Sequence, residues 1–469
     1  MIVSRKTKPL ILIILGIIFA FSPIIATNLS YISKNKNIIL DYSNETPLIK
    51  DNLEISVSLG KIHIDNNWTD AKSAGICTGN GTYSEPYIIE DLLIDGGGSG
   101  SCIRIENSNA FFRIENCTLY NSGKNFINAG IRLSYVNNAH LIDNNCSFNE
   151  KGILLRNSNN NTISGNIIIN NDWGIYLWNS DHNTILENTE NTEQSNSRYG
   201  IKLYDSNNNK ILTNILNSGI WLDGVNNNIS GNMMDKCGLG IYPGNTENFY
   251  SQNIDTTNLI NGKPLYYYIN EEYLEPNNFT NAGQIILVSC KNSLIVNLNV
   301  SYSDTGISLI NSNNNTIRGN TVNNNHRDGL YLFGGGNNNI SNNIVSYNNE
   351  YGILLEYSSD NIFLENNVSY NNYHGFDCYR LENSFISGND INHNKNYGIY
   401  FINCINNTIT GNSLIGNEKC FNEVHSEDNV FKNNVCRDRI SAIPGYNLFF
   451  LLGILSIIAI IIGKRIKKS

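Results

Sequence analysis

The chain has 469 residues, of which 41% are hydrophobic, 10% aromatic and only 16% charged. Its 32 basic against 41 acidic side chains leave a net charge of −9, which excludes a nucleic-acid partner because phosphate binding needs a basic face. Low charge with ordinary aromatic content also excludes disorder. Asparagine is visibly the commonest residue, often in runs such as Asn159-Asn160-Asn161, so a folded body must have a use for it.

In chain order, residues 1–26 carry Arg5, Lys6 and Lys8 and then an apolar stretch from Leu10 to Phe21, the pattern of a signal peptide or an uncleaved N-terminal anchor. Residues 28–60 are polar and read as a linker. Residues 61–101 read as the N-terminal cap and entry coil that a solenoid needs at its open end. Residues 102–438 are repeats. Residues 446–463 are apolar and long enough to span a bilayer. The basic tail 464–469 is then cytoplasmic by the positive-inside rule. The expected localisation is therefore a cell membrane with the body outside, or in a periplasm-like space.

The repeat is a Gly-Ile-x-Leu phrase, a Ser/Asn cluster and Ile-x-x-Asn. Its glycine falls at Gly130, Gly152, Gly174, Gly200, Gly219, Gly240, Gly306, Gly329, Gly352, Gly375 and Gly398. Spacings cluster near 22–23, except for 66 residues between Gly240 and Gly306. A period of this length fits a leucine-rich repeat or a parallel β-helix. Alternating Ile between Gly- and Asn-rich turns selects three short strands per turn, an all-β parallel solenoid. Residues 241–305 are an irregular interruption that either hides about three coils or folds over a face. Asn166, Asn320, Asn343, Asn366, Asn389 and Asn412 each lie 14 residues after their glycine. That fixed offset predicts a buried ladder of stacked side chains. Cys117 and Cys146 occupy matching phrases in adjacent coils, close enough to pack or to bond.

The phrase Asn-x-Gly-Ile-x-Leu…Asn-x-Ile-x-x-Asn resembles the right-handed parallel β-helix family that includes NosD, over roughly residues 85–438. The segment 261–293 is similar to the interruption of NosD-like chains, and Gly81 to Ile88 to a phrase of their entry coil. The resemblance implies a periplasmic protein of copper-enzyme maturation. Broader relatives are carbohydrate-binding and sugar-cleaving β-helices, in which calcium can take part. Pro444-Gly445 before the apolar tail resembles archaeal surface-sorting tails, although Tyr446 stands where those carry Phe. From its own residues the chain predicts no cofactor and no metal: it has three Met, no CxxC, and seven His that do not share one row.

Residues two and four past each repeat glycine are expected to point outward. They include Tyr176, Trp178, Tyr204, Trp221, Tyr242, Tyr331, Phe333, Tyr379 and Tyr400, an aromatic strip suited to stacking on sugar or on a surface protein. Carboxylates on the same face, Asp223, Glu356 and Asp377, with Arg380 as an orienting group and His374 as a proton carrier, are the candidates for acid–base sugar cleavage. Two functions follow: a membrane-anchored surface protein that binds glycan without catalysis, or a polysaccharide lyase or hydrolase. A copper-maturation role rests on the resemblance alone.

Overall fold

The computed structural model describes residues 57–58, 60–190 and 196–439. The apolar segments 1–26 and 446–463 and almost all of the 28–60 linker lie outside these. Among the described residues no helix is long and apolar enough to cross a membrane.

Alternation of Ile and polar residues produces short strands with one face in. Ile131, Ile153, Ile175 and Ile201 pair in register in successive coils and are fully or almost fully buried. Burial of each contributes about 2–3 kcal/mol. The glycine that opens each first strand is fixed by close approach. A Cβ on Gly352 would lie 2.4 Å from Val368 Cγ1 and 2.7 Å from the Asn371 amide nitrogen, both on the third side of the coil.

Asparagine fills the corners. Asn320, Asn343, Asn366, Asn389, Asn412 and Asn434 form one continuous ladder, each Nδ2 donating to the next Oδ1 at 2.9–3.0 Å. Asn166 belongs to the equivalent row of the first coils, between Asn144 and Asn188. Each amide also bonds the backbone, as Asn366 Nδ2 does with Ile340 O at 2.9 Å. Buried peptide groups that the coil corners leave unpaired are satisfied this way.

The interruption is more than a disguised coil. Eight parallel first strands run from Ile62–Asp65 to Leu239–Ile241. The chain then passes through Leu259–Ile260 and turns at Asn261-Gly262, both with positive φ (51° and 74°), into Lys263–Ile269. This pair is antiparallel, whereas the other pairings between strands are parallel. Lys263–Ile269 becomes the first strand of a second run of eight, ending at Lys419–Val424. In an antiparallel pair directly opposed side chains share a face. Ile260 opposes Lys263, so Leu265, Tyr267 and Ile269 lie on the side of the first core, and Tyr266 and Tyr268 on the side of the second. Ile286, Val288, Ile310 and Tyr331 continue the first set. One sheet is thus a wall between two cores, and its outer face closes the end of the first run.

At the start, the helix Trp68–Ser73 lays Trp68 on Tyr87 and Phe112, with ring centroids 4.7 and 4.8 Å away, and its indole N–H donates to Ser108 Oγ at 2.8 Å. At the far end a disulfide joins Cys420 to Cys436. Cys117 and Cys146 are separate buried thiols.

Candidate functional site

On the first run, the outer residues do not form an open aromatic platform. Tyr176 is only 4% exposed. The loop 121–129 brings Phe126 across it, 6.0 Å from Tyr176 and 5.6 Å from Trp178 between ring centroids. Cations take other ring faces: Arg156 lies over Trp178 at 4.9 Å and Lys202 over Trp173 at 4.5 Å. Trp221 packs with Tyr199 and with Arg327 of the second run. Tyr204 and Tyr242 are exposed. Tyr331 and Phe333 belong to the wall or its margin, and Tyr331 is 9% exposed. Alternation alone placed Tyr176 and Tyr331 outward, but a loop covers the first and the core of the first run covers the second.

The carboxylates are divided between the two runs. Asp223 is buried in the first run, where Asn248 Nδ2 donates to it at 3.1 Å; burial raises its pKa. Glu356 accepts a 2.6 Å hydrogen bond from Tyr331 Oη. Arg380 occupies a positive-φ corner (54°), stacked on Tyr357 and Tyr379 and outside the cleft described next.

What the second run does assemble is a cleft of about 450 Å³ lined by Tyr351, His374, Asp377, Tyr397, Tyr400 and Glu418, among others. The alternation of Phe376–Tyr379 turns Phe376 and Cys378 into the core and Asp377 out. In Tyr397–Ile402 it does the same for Tyr400. Tyr351, His374 and Tyr397 stand immediately before their repeat glycines, spaced by 23 residues. They form a row that the plus-two and plus-four rule passes over, although its spacing is legible in the sequence. Tyr397 and Tyr400 lie parallel, 5.1 Å apart. His374 is boxed by Tyr351, Tyr373, Tyr397 and Tyr400 at 4.6–5.6 Å.

His374 is buried, and burial lowers its pKa to about 4, so the imidazole is neutral at neutral pH. Its Nδ1 accepts the Tyr397 backbone N–H at 3.1 Å, which places the proton on Nε2. Burial raises Asp377 to about 6; the hydrogen bond with Tyr351 opposes this and the Glu356 charge adds to it. The cleft thus offers a stacked aromatic pair and a carboxyl whose pKa burial raises to about 6, with Glu418 as the second carboxylate in its lining.

A parallel β-solenoid carrying an aromatic and carboxylate cleft on its first-strand face is the class these features define. A family model for periplasmic copper-binding protein (NosD) matches residues 22–194 and 251–442. The chain belongs to the NosD family. No curated protein matches it. Among solved structures, the periplasmic alginate epimerase AlgG is similar at 12% identity over 75% of this chain and 85% of that one, with a TM-score of 0.27. The A-module of the Azotobacter vinelandii mannuronan C-5 epimerase AlgE4 is also 13% identical, over 80% of this chain and all of that one, at 0.24. The tailspike of E. coli bacteriophage HK620, solved with a hexasaccharide, is 10% identical over 74% and 67%, at 0.29.

The family description implies copper, which takes His, Cys or Met ligands. Among the described residues, the triad of potential ligand atoms within 4.8 Å of one another is Cys420, Cys436 and Asp438. Its two sulfurs are bonded to each other. The remaining cysteines are dispersed buried thiols, and one nitrogen of His374 is engaged by backbone. These residues do not fit a copper centre.

Proposed function

We propose that this protein is an extracytoplasmic carbohydrate-binding solenoid that takes a sugar ring in the cleft of the second run. The parallel pair Tyr397 and Tyr400 beside Asp377 carries the proposal. Aromatic faces stack on the apolar face of a sugar ring, and a carboxylate accepts from its hydroxyls. The coils beneath are tied by asparagine ladders, so the platform is set before ligand arrives. The disulfide Cys420–Cys436 and the family's periplasmic description support a body outside the cytoplasm. The tether at 446–463 is part of the same proposal. Binding of a panel of neutral and acidic oligosaccharides tests it. Tyr400→Ala is expected to lower the affinity of the best binder at least 30-fold with an unchanged melting temperature; unchanged affinity would remove the cleft from the proposal.

One observation favours catalysis as the second possibility. Asp377 holds its proton up to about pH 6 and lies in a cleft with a second carboxylate, as general acid chemistry requires. New reducing ends or unsaturated products, formed by the wild type and absent with Asp377→Asn, would establish it.

A further inference from the structure

Lys151 is the least explained side chain of the first run. It stands immediately before Gly152 on the outer side of the first-strand sheet, and its side chain is completely buried. Its Nζ has no hydrogen-bond partner among the described residues. The nearest acid, Glu150, is 3.9 Å away and does not close a hydrogen bond. Instead the ammonium lies 4.3 Å from the centroid of Phe126 and 5.8 Å from that of Tyr176.

The cover is small. Ala129, Leu154 and Tyr176, with Trp178 against them, form an apolar cluster separate from both cores. The loop 121–129 closes it with Phe126, which is itself 47% exposed. Burying an ammonium without a hydrogen bond is costly, and cation–π contact offsets only part of that. Burial lowers the Lys151 pKa to about 8, with Glu150 and Asp172 opposing and Arg198 and Lys202 adding to the fall. The closed loop therefore leaves unused attraction for any anion that reaches Nζ.

Phe126 also marks the shape of what would replace it. Its ring meets Tyr176 and Trp178 edge to face and lies under the ammonium. A ring carrying a carboxylate would occupy the same space, stack on the same partners and pair with Nζ. Further cations adjoin: Arg156 on Trp178, and Lys202 at 5.5 Å from the Tyr176 ring. Arg104 and Arg132 precede Leu154 and Tyr176 in one outward row, but both are paired with Glu106, at 2.5 and 3.4 Å. Coils step by about 4.8 Å. Lys202 follows Tyr176 in that row, two coils beyond Lys151, so the cations left over are spread along the axis and suit an anionic polymer better than a single acid.

We infer that the Phe126 loop is a displaceable flap over an anion subsite centred on Lys151, and that its ligand is an acidic sugar ring of a polyuronate chain. This subsite is separate from the Tyr397–Tyr400 cleft, and either can fail without the other. The test is titration of the full chain with a galacturonic-acid oligosaccharide and with its neutral methyl ester. The acid is expected to bind at least tenfold more tightly than the ester. Lys151→Met should abolish that preference, Phe126→Ala should strengthen acid binding three- to tenfold, and Tyr400→Ala should leave it unchanged. Phe126 is on an exposed loop, so its variant keeps the fold. Amine labelling read by mass spectrometry gives a second measure: Lys151 should react faster in Phe126→Ala and be protected by the acid. Lack of wild-type binding to the acid, affinity for it within twofold of wild type in Lys151→Met, or equal binding of polyglutamate would each overturn the inference.

Discussion

Asn366 makes full use of its side chain. Nδ2 donates to Ile340 O and Asn389 Oδ1, while Oδ1 accepts the Asn343 backbone N–H and Nδ2, all at 2.9–3.0 Å. Asn366→Ala strips four buried groups of a partner and is expected to cost about 2–3 kcal/mol in urea unfolding. Asn366→Asp keeps one accepting oxygen but aims the other at two acceptors. The folded state then favours the protonated acid, so stability should be near wild type below about pH 4 and fall as pH rises. The cleft has two opposed titrations of its own. His374 drops from 6.5 unfolded to about 4 folded, so the unfolded chain binds more protons and stability rises with pH over that window. Asp377 rises from 3.8 to about 6, so the folded chain binds more protons and stability falls between those values. Relative to the wild type, the unfolding free energy measured from pH 4 to 6.5 should rise more with pH in Asp377→Asn and fall more with pH in His374→Phe. Arg380 pairs a bulky side chain with φ of 54°, in a row where Asn157, Asn179, Asn311 and Asn403 also have positive φ. Arg380→Asn should stabilise by about 0.5–1 kcal/mol.

Single elements show what the sequence makes legible and what it does not. Strands, coil period and Asn rows follow from local alternation and fixed offsets, because each coil sees much the same environment as the last. The hairpin at Asn261-Gly262 carried a local signal, since Asn-Gly after the apolar Leu259-Ile260 favours the type I′ turn that joins antiparallel strands. Its consequence was not local: it reversed the strand direction and turned Leu265, Tyr267 and Ile286 from surface into core. The cover over Tyr176 was hidden for a similar reason, because Phe126 lies in a loop between repeats. Gly262→Val forces a β-branched residue to φ 74° and should lower stability by about 2 kcal/mol or more. The last coil depends on its covalent link. Reducing Cys420–Cys436 releases a 16-residue loop, and proteolysis near 425–439 should then precede cleavage elsewhere in the described body.

Over the whole molecule, the shared wall joins two runs that would otherwise be stacks of nearest neighbours. Side chains from both runs enter the first core, so calorimetry of the wild type should show one transition, and Ile286→Asp, which drives a carboxylate into the wall, should divide it into two. Rigidity of this kind also gives the cleft its use, because Tyr397, Tyr400 and Asp377 are held by adjacent strands of one sheet. The most direct measurement is calorimetric titration of the tightest-binding oligosaccharide from the panel into wild type and into the Tyr397→Ala, Tyr400→Ala double variant. A loss of at least 100-fold in affinity with the melting temperature unchanged is predicted; affinity within twofold of wild type would contradict sugar binding at the cleft.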